Sequence, residues 1–175
     1  LVQVAWPGRL ALIDPLAVDL APLSEVLASG SCAVMHAARQ DLEILHRECG
    51  LVPTELFDTQ VAANFVGFSN PSLGTLSERL TGKKVPKGDR LTDWMRRPLK
   101  PTQLSYAAAD VRDLLDIADR LIEQLDRRDR TTWAADAIEE ERTDSWTTRD
   151  PAVAWTRIKE VRHLRGKALA TAQAL

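Results

Sequence analysis

Cysteine is scarce in this chain: there are two in 175 residues, Cys32 and Cys49. Neither belongs to a Cys-x-x-Cys pair or to a Cys/His spacing of the zinc-binding kind, so a structural zinc site is excluded. Both read as buried free thiols in a reducing compartment. No apolar run is long enough to span a bilayer, so no membrane is expected as a partner. An excess of one charge is also missing. There are 23 basic and 25 acidic residues, a net charge of -2. Any affinity for nucleic acid must therefore come from local clustering. Internal repeats and low-complexity tracts are absent. The start, Leu1-Val2-Gln3-Val4-Ala5-Trp6, has neither a basic leader nor a cleavage signature. It reads as a strand that begins abruptly, and the last residues stop inside a helical pattern, so both ends are expected to be cut edges. What is present is an ordinary globular balance, 45% hydrophobic and 27% charged, enough for a core without metals or disulfides.

Local signals divide the chain into elements. Pro7-Gly8 is a turn between two strand-like runs, 1–6 and 9–14, which predicts a hairpin. Asp19 is placed to cap a short helix reaching Ser29, with Gly30 at its end. Ser31 to His36 reads as a buried strand. A helix follows from Ala38 to Cys49 and is closed by Gly50. Phe57-Asp58-Thr59 opens another helix that ends near Gly67, and Ser72 caps one that ends near Gly82. Residues 83–100 read as a loop with one turn of helix. Pro101 suits the first position of a long helix to Asp129, whose stripe runs through Leu104, Ala108, Val111, Leu115, Ala118, Ile122 and Leu125. One more helix covers 131–144. Strands early and helices late predict an α/β or α+β class with a helical appendage.

Two carboxylates stand at the rim of apolar stripes. Asp41 lies about a quarter turn from the stripe of its helix, and Asp110 flanks the stripe of the long helix, with Tyr106 one turn earlier on the same side. A carboxylate beside a buried face usually has a partner, because an unpaired ion there is costly. Each residue also has a plain alternative. Asp41 suits the positive N-terminal end of its helix, and Tyr106 suits a boundary with its ring inside and its hydroxyl in water.

The words around these residues form a set. His36-Ala37-Ala38-Arg39-Gln40-Asp41-Leu42-Glu43 resembles the second exonuclease motif of the ribonuclease D family. Phe57-Asp58-Thr59-Gln60 with Ala62-Ala63 resembles its next block. Thr92-Asp93-Trp94 with Arg97-Pro98-Leu99 is similar to the segment before the third motif. Tyr106-Ala107-Ala108-Ala109-Asp110-Val111 resembles that motif in its tyrosine form. Ala154-Trp155-Thr156-Arg157-Ile158-Lys159 resembles the start of the family's helical HRDC domain. The blocks keep the family's order over nearly the whole chain.

The resemblance implies a ribonuclease H-like mixed sheet flanked by helices, its first strand missing here. It implies an exonuclease domain over 1–143, a linker over 144–149 and the start of an HRDC-like domain over 150–175. It further implies hydrolysis of RNA from the 3′ end in the cytoplasm, tRNA precursors being the expected substrate class, with no obligate protein partner. Four carboxylates would hold two divalent cations, magnesium or alternatively manganese, as two-metal phosphodiester chemistry requires. Asp110 would be a direct ligand, Asp41 would bind or orient the second cation, and Tyr106 would position the attacking water. One departure matters: the family's Asp-x-Glu motif, expected on a strand before Leu1, is absent.

Other candidates read more plainly. Asp58 fits a helix cap better than a ligand. His36 fits a satisfied core histidine, and Asp93-Trp94 a structural pair with the indole fixing the loop. Segment 83–100 carries seven basic residues against two acidic ones. It reads either as a solvated loop or as a guide for a phosphate backbone, with Lys87 and Arg90 as the candidate RNA contacts. Two further functions remain open: a DNA exonuclease, and an inactive nucleic-acid-binding module.

Overall fold

The structure is a computed structural model that describes residues 1–84, 92–144, 161 and 163–174. It divides into two compact units, Leu1–Asp144 and Ser145–Leu175.

The first unit opens with the predicted hairpin. Strands β1 (Val2–Trp6) and β2 (Arg9–Ile13) pair antiparallel in the register Val2↔Ile13 to Trp6↔Arg9. The two residues between them include Gly8 at φ 75, a value that suits glycine in so tight a link. Helix α1 (Leu23–Leu27) is one turn, shorter than expected, although Asp19 does accept the Ala21 N–H at 2.9 Å.

A β-α-β unit follows. Strand β3 (Cys32–Met35), helix α2 (Arg39–Cys49) and strand β4 (Glu55–Asp58) bring two parallel strands together, with Cys32 opposite Glu55 and Met35 opposite Asp58. Parallel pairing needs a crossover, and α2 supplies it. Gly50 stops α2 in the left-handed conformation, its N–H donating to the His46 carbonyl at 2.9 Å. Phe57 and Asp58 are strand rather than helix. Helix α3 (Thr59–Asn64) starts one residue later and ends before Gly67. Strand β4 was hidden because it is four residues long and runs into a helix with no turn between.

Helix α4 (Leu73–Leu76) is capped by Ser72, whose hydroxyl accepts the Thr75 N–H at 3.2 Å, and it widens into a π-helical turn, Ser77–Thr81, ended by Gly82. The long helix predicted over 101–129 is two helices, α5 (Pro101–Arg112) and α6 (Leu114–Asp126), broken at Asp113. The buried face follows the expected stripe only at Ala118 and Leu125 among its α6 members. Leu114, Ile117, Ala118, Leu121 and Leu125 are buried on α6, whereas Leu104, Leu115 and Ile122 of the expected stripe are exposed. Lys83 holds the break, with its ammonium 2.5 Å from the Asp113 carboxylate and 3.1 Å from that of Asp116. Helix α7 (Thr131–Thr143) completes the unit.

The core is built mainly from α3, α4, α6 and α7, with Ala62, Ala63, Val66, Leu76, Ile117, Leu121, Leu125, Ala134 and Ile138 closing over Leu56 and Phe57 of β4. Helix α5 packs on the hairpin. Among the described residues the strands form two separate two-stranded sheets, one antiparallel and one parallel, rather than the single mixed sheet expected. Each is closed by its own connection, and no described strand bridges them. Cys32 is exposed, not buried, and both thiols are free. No helix among the described residues is long and apolar enough to cross a membrane.

In the second unit, helix α8 (Gly166–Ala174) is described. The linker expected over 144–149 falls outside the described residues beyond Asp144, as does the block Ala154–Lys159.

Candidate active site

Parallel strands place the helix starts that follow them at one end of the sheet, the usual location of a site in such folds. Here β3 leads into α2 and β4 into α3, and Met35 and Asp58 are register partners at that end. Asp41 lies in the first turn of α2. Its side chain reaches solvent, yet the protein around it partly desolvates the carboxyl. That burial, followed by the negative charge of Asp58, pushes its pKa above the ordinary carboxylate value.

Asp110 and Tyr106 lie one turn apart on α5, as the sequence requires. Asp110 is half-buried, and burial alone raises its carboxyl pKa. Among the described residues neither Asp41 nor Asp110 has a hydrogen-bond or ion-pair partner. Both are hard oxygen donors at least partly open to solvent, the chemistry that suits a divalent cation. Two carboxylates are half of the set the resemblance implies, and no cluster of three or more His, Cys, Asp or Glu occurs among the described residues.

Tyr106, the only tyrosine in the chain, is half-buried with its ring against Trp94, centroids 6.1 Å apart and planes at 48°. Trp94 thus fixes a loop against the site helix. Two tethers hold that loop. Gln103 is buried and donates from its amide to the Thr92 hydroxyl at 3.0 Å and to the Asp93 carbonyl at 3.2 Å, while its oxygen accepts the Lys100 N–H at 2.9 Å. Arg97 donates to the Trp94 carbonyl at 2.7 Å and grips Asp14 at the end of β2 through two contacts, 2.5 and 2.7 Å. That guanidinium brings the Asp14 carboxyl from the usual 3.8 down to about 2.

Asp58 is a cap, as read from its position, but it also has partners outside its own helix. Fully buried, it accepts the N–H groups of Gln60 (2.7 Å) and Val61 (3.1 Å) at the start of α3. It also accepts those of Ala37 (3.2 Å) and Ala38 (2.6 Å) at the start of α2. His36 is a satisfied histidine: Nδ1 lies 2.9 Å from the Thr59 hydroxyl, and burial lowers its pKa.

Several residues escaped the sequence reading. Glu141 on α7 keeps one carboxylate oxygen buried without a hydrogen-bond partner among the described residues. Its pKa is raised by burial and then by the charge of Asp58, against a lowering pull from Arg39. The run Glu139-Glu140-Glu141 gave no sign of which acid turns inward. The roles of Gln103 and of the Arg97–Asp14 pair were equally hidden. The basic segment is less available than its composition suggested. Lys83 is bound to Asp113 and Asp116, Arg97 to Asp14, and Lys84 lies 3.9 Å from Glu78. Lys87 and Arg90 lie outside the described residues.

Comparison with known proteins follows the same geometry. The 3'-5' exonuclease domain family matches residues 1–126. Ribonuclease D of Jannaschia sp. is 45% identical over 183 residues, covering 100% of this chain and 47% of the relative. The crystal structure of Escherichia coli RNase D, described as an exoribonuclease involved in structured RNA processing, superposes with a TM-score of 0.83 at 33% identity, over 98% of this chain and 46% of that one. Brucella melitensis NrnC with bound Mg2+ superposes with a TM-score of 0.59 at 25% identity, over 69% of this chain and 60% of that one. The chain spans about half the length of the curated relatives it matches. With the match running through both helices that carry Asp41, Tyr106 and Asp110, the chain belongs to the 3'-5' exonuclease family.

Proposed function

We propose that this chain is the greater part of the catalytic portion of a metal-dependent 3'-5' exoribonuclease, acting in the cytoplasm on structured RNA ends such as those of tRNA precursors. One observation carries the reading: Asp41 and Asp110 are partly desolvated carboxylates with no described partner, and Tyr106 places a hydroxyl one turn from Asp110. An anion in that state is stabilised by a cation. Asp110 holds the cation directly and Asp41 binds or orients a second. Magnesium suits the all-oxygen donor set, with manganese as a substitute. When bound, the cations neutralise charge on the attacking and leaving oxygens of the phosphodiester. The Tyr106 hydroxyl orients the attacking water by a hydrogen bond, and its ring is kept in place by Trp94. The role of the Escherichia coli protein in structured RNA processing and the Mg2+ bound to the Brucella protein support RNA as the polymer class and magnesium as the ion.

The test uses a protein that carries this chain at the full length of its relatives, with a 5′-labelled RNA. Asp110→Asn is expected to abolish magnesium-dependent shortening from the 3′ end. Shortening at the wild-type rate would remove Asp110 from the site. A DNA strand of the same sequence, run in parallel, separates the ribonuclease from a DNA exonuclease.

A further inference from the structure

Helix α2 carries Asp41 but lacks a cap of its own. The residue at its N-cap is Ala38, whose side chain has no acceptor, and no side chain within the helix start takes that role. Residue 37 is an alanine at φ 55, a left-handed conformation that costs energy for any residue with a Cβ. That conformation turns the N–H groups of Ala37 and Ala38 toward one point, which the Asp58 carboxylate occupies from twenty residues further along the chain. The same carboxylate serves Gln60 and Val61, so one buried anion is shared by two helix starts.

We propose that Asp58 is a positioning residue for cation binding: by clamping the N-terminus of α2 to that of α3, it fixes where Asp41 presents its carboxylate. This rests on the functional reading above. The clamp lies three residues before Asp41, inside the turn that aims it, and Leu42 is fully buried immediately after. Asp41 is therefore held from both sides, by the clamp before it and by the core after it. Asp58 is fully buried, and both of its oxygens are engaged by the two helix starts, Oδ1 by Ala37, Gln60 and Val61 and Oδ2 by Ala38. Other charged groups face this clamp: Asp41, Glu141 and His36 all sense the Asp58 charge, and Arg39 pairs with Asp144 beside it.

Asp58→Asn keeps the shape but turns an amide NH2 toward backbone donors, so at least one N–H loses its acceptor. A core variant, Ile138→Ala, serves as the control for lost stability alone. In the full-length protein, magnesium is titrated with two readouts: the rise in melting temperature that the ion causes, and the rate of RNA shortening. Supporting partners of metal ligands typically change metal affinity by about 10- to 100-fold. Asp58→Asn is accordingly expected to raise the magnesium half-saturation by about tenfold or more in both readouts. Ile138→Ala should leave it unchanged. If Asp58→Asn does not fold, Asp58→Glu carries the same test, because the added methylene prevents both oxygens from meeting both pairs of amides. Half-saturation equal to that of Ile138→Ala, in whichever Asp58 variant folds, overturns this inference alone. A wild-type protein that neither responds to magnesium nor shortens RNA overturns the functional reading and this inference with it.

Discussion

Helix α5 carries its starting instructions in its own sequence, whereas α2 borrows them. Pro101 opens α5 with φ preset, and Gln103 turns back to accept the Lys100 N–H three residues away. The Trp94 loop that supports Tyr106 lies within a dozen residues of it. Helix α2 begins on two alanines, one of them strained, and waits for a carboxylate that the chain supplies only after the crossover has been made. The start of α5 is thus set by local signals, although the loop beneath Tyr106 is also tied to the end of β2 through Arg97 and Asp14. The α2 half of the site exists only once β3 and β4 have paired. Chemistry is separable from stability in the first and bound to the fold in the second.

This contrast can be tested at three positions. Tyr106→Phe removes one oxygen from the locally organised half. The rate of RNA shortening, followed in single turnover, is expected to fall by about 10²-fold or more with the melting temperature unchanged. A wild-type rate would take the hydroxyl out of the chemistry, and a large loss of stability would end the separation of the two properties. Gln103→Ala strips the buried tether, leaving the Lys100 N–H and the Thr92 and Asp93 contacts to rearrange. Denaturant unfolding should show a loss of about 1–3 kcal/mol. A loss near zero would mean that α5 is held by the hairpin beneath it, not by its own start. Ala37→Gly relieves the left-handed alanine that the clamp demands. Thermal unfolding should show a gain of about 1 kcal/mol, set against the greater freedom of glycine in the unfolded chain. Clear destabilisation would indicate that Ala37 is under no strain.

The same divide explains what was legible in the sequence. Pro7-Gly8, Gly50, Ser72 and Pro101 each act within a few residues, and each marked its element correctly. Tyr106 and Asp110 could be paired because helical spacing alone sets them one turn apart. The break at Asp113 was invisible: apolar residues continue in helical period from 104 to 125, and the lysine that secures the break is thirty residues upstream. Asp58 showed its local partners, Gln60 and Val61, but not Ala37 and Ala38, because only the parallel register of β3 and β4 brings them within reach. Part of the charge of segment 83–100 is taken up in the same long-range way, while Lys87 and Arg90 lie outside the described residues. Lys83 and Arg97 are matched by acids that lie far away in sequence. The family words located the site's residues, but the contact that aims Asp41 is tertiary.

Because α5 stops at Arg112 and α6 begins at Leu114, Asp110 stands beside a seam where the carbonyl end of one helix meets the amide end of the next. The two poles oppose each other across a single residue, with Lys83 paired to Asp113 at the seam, so the carboxyl of Asp110 is shifted by burial and not by the helix end.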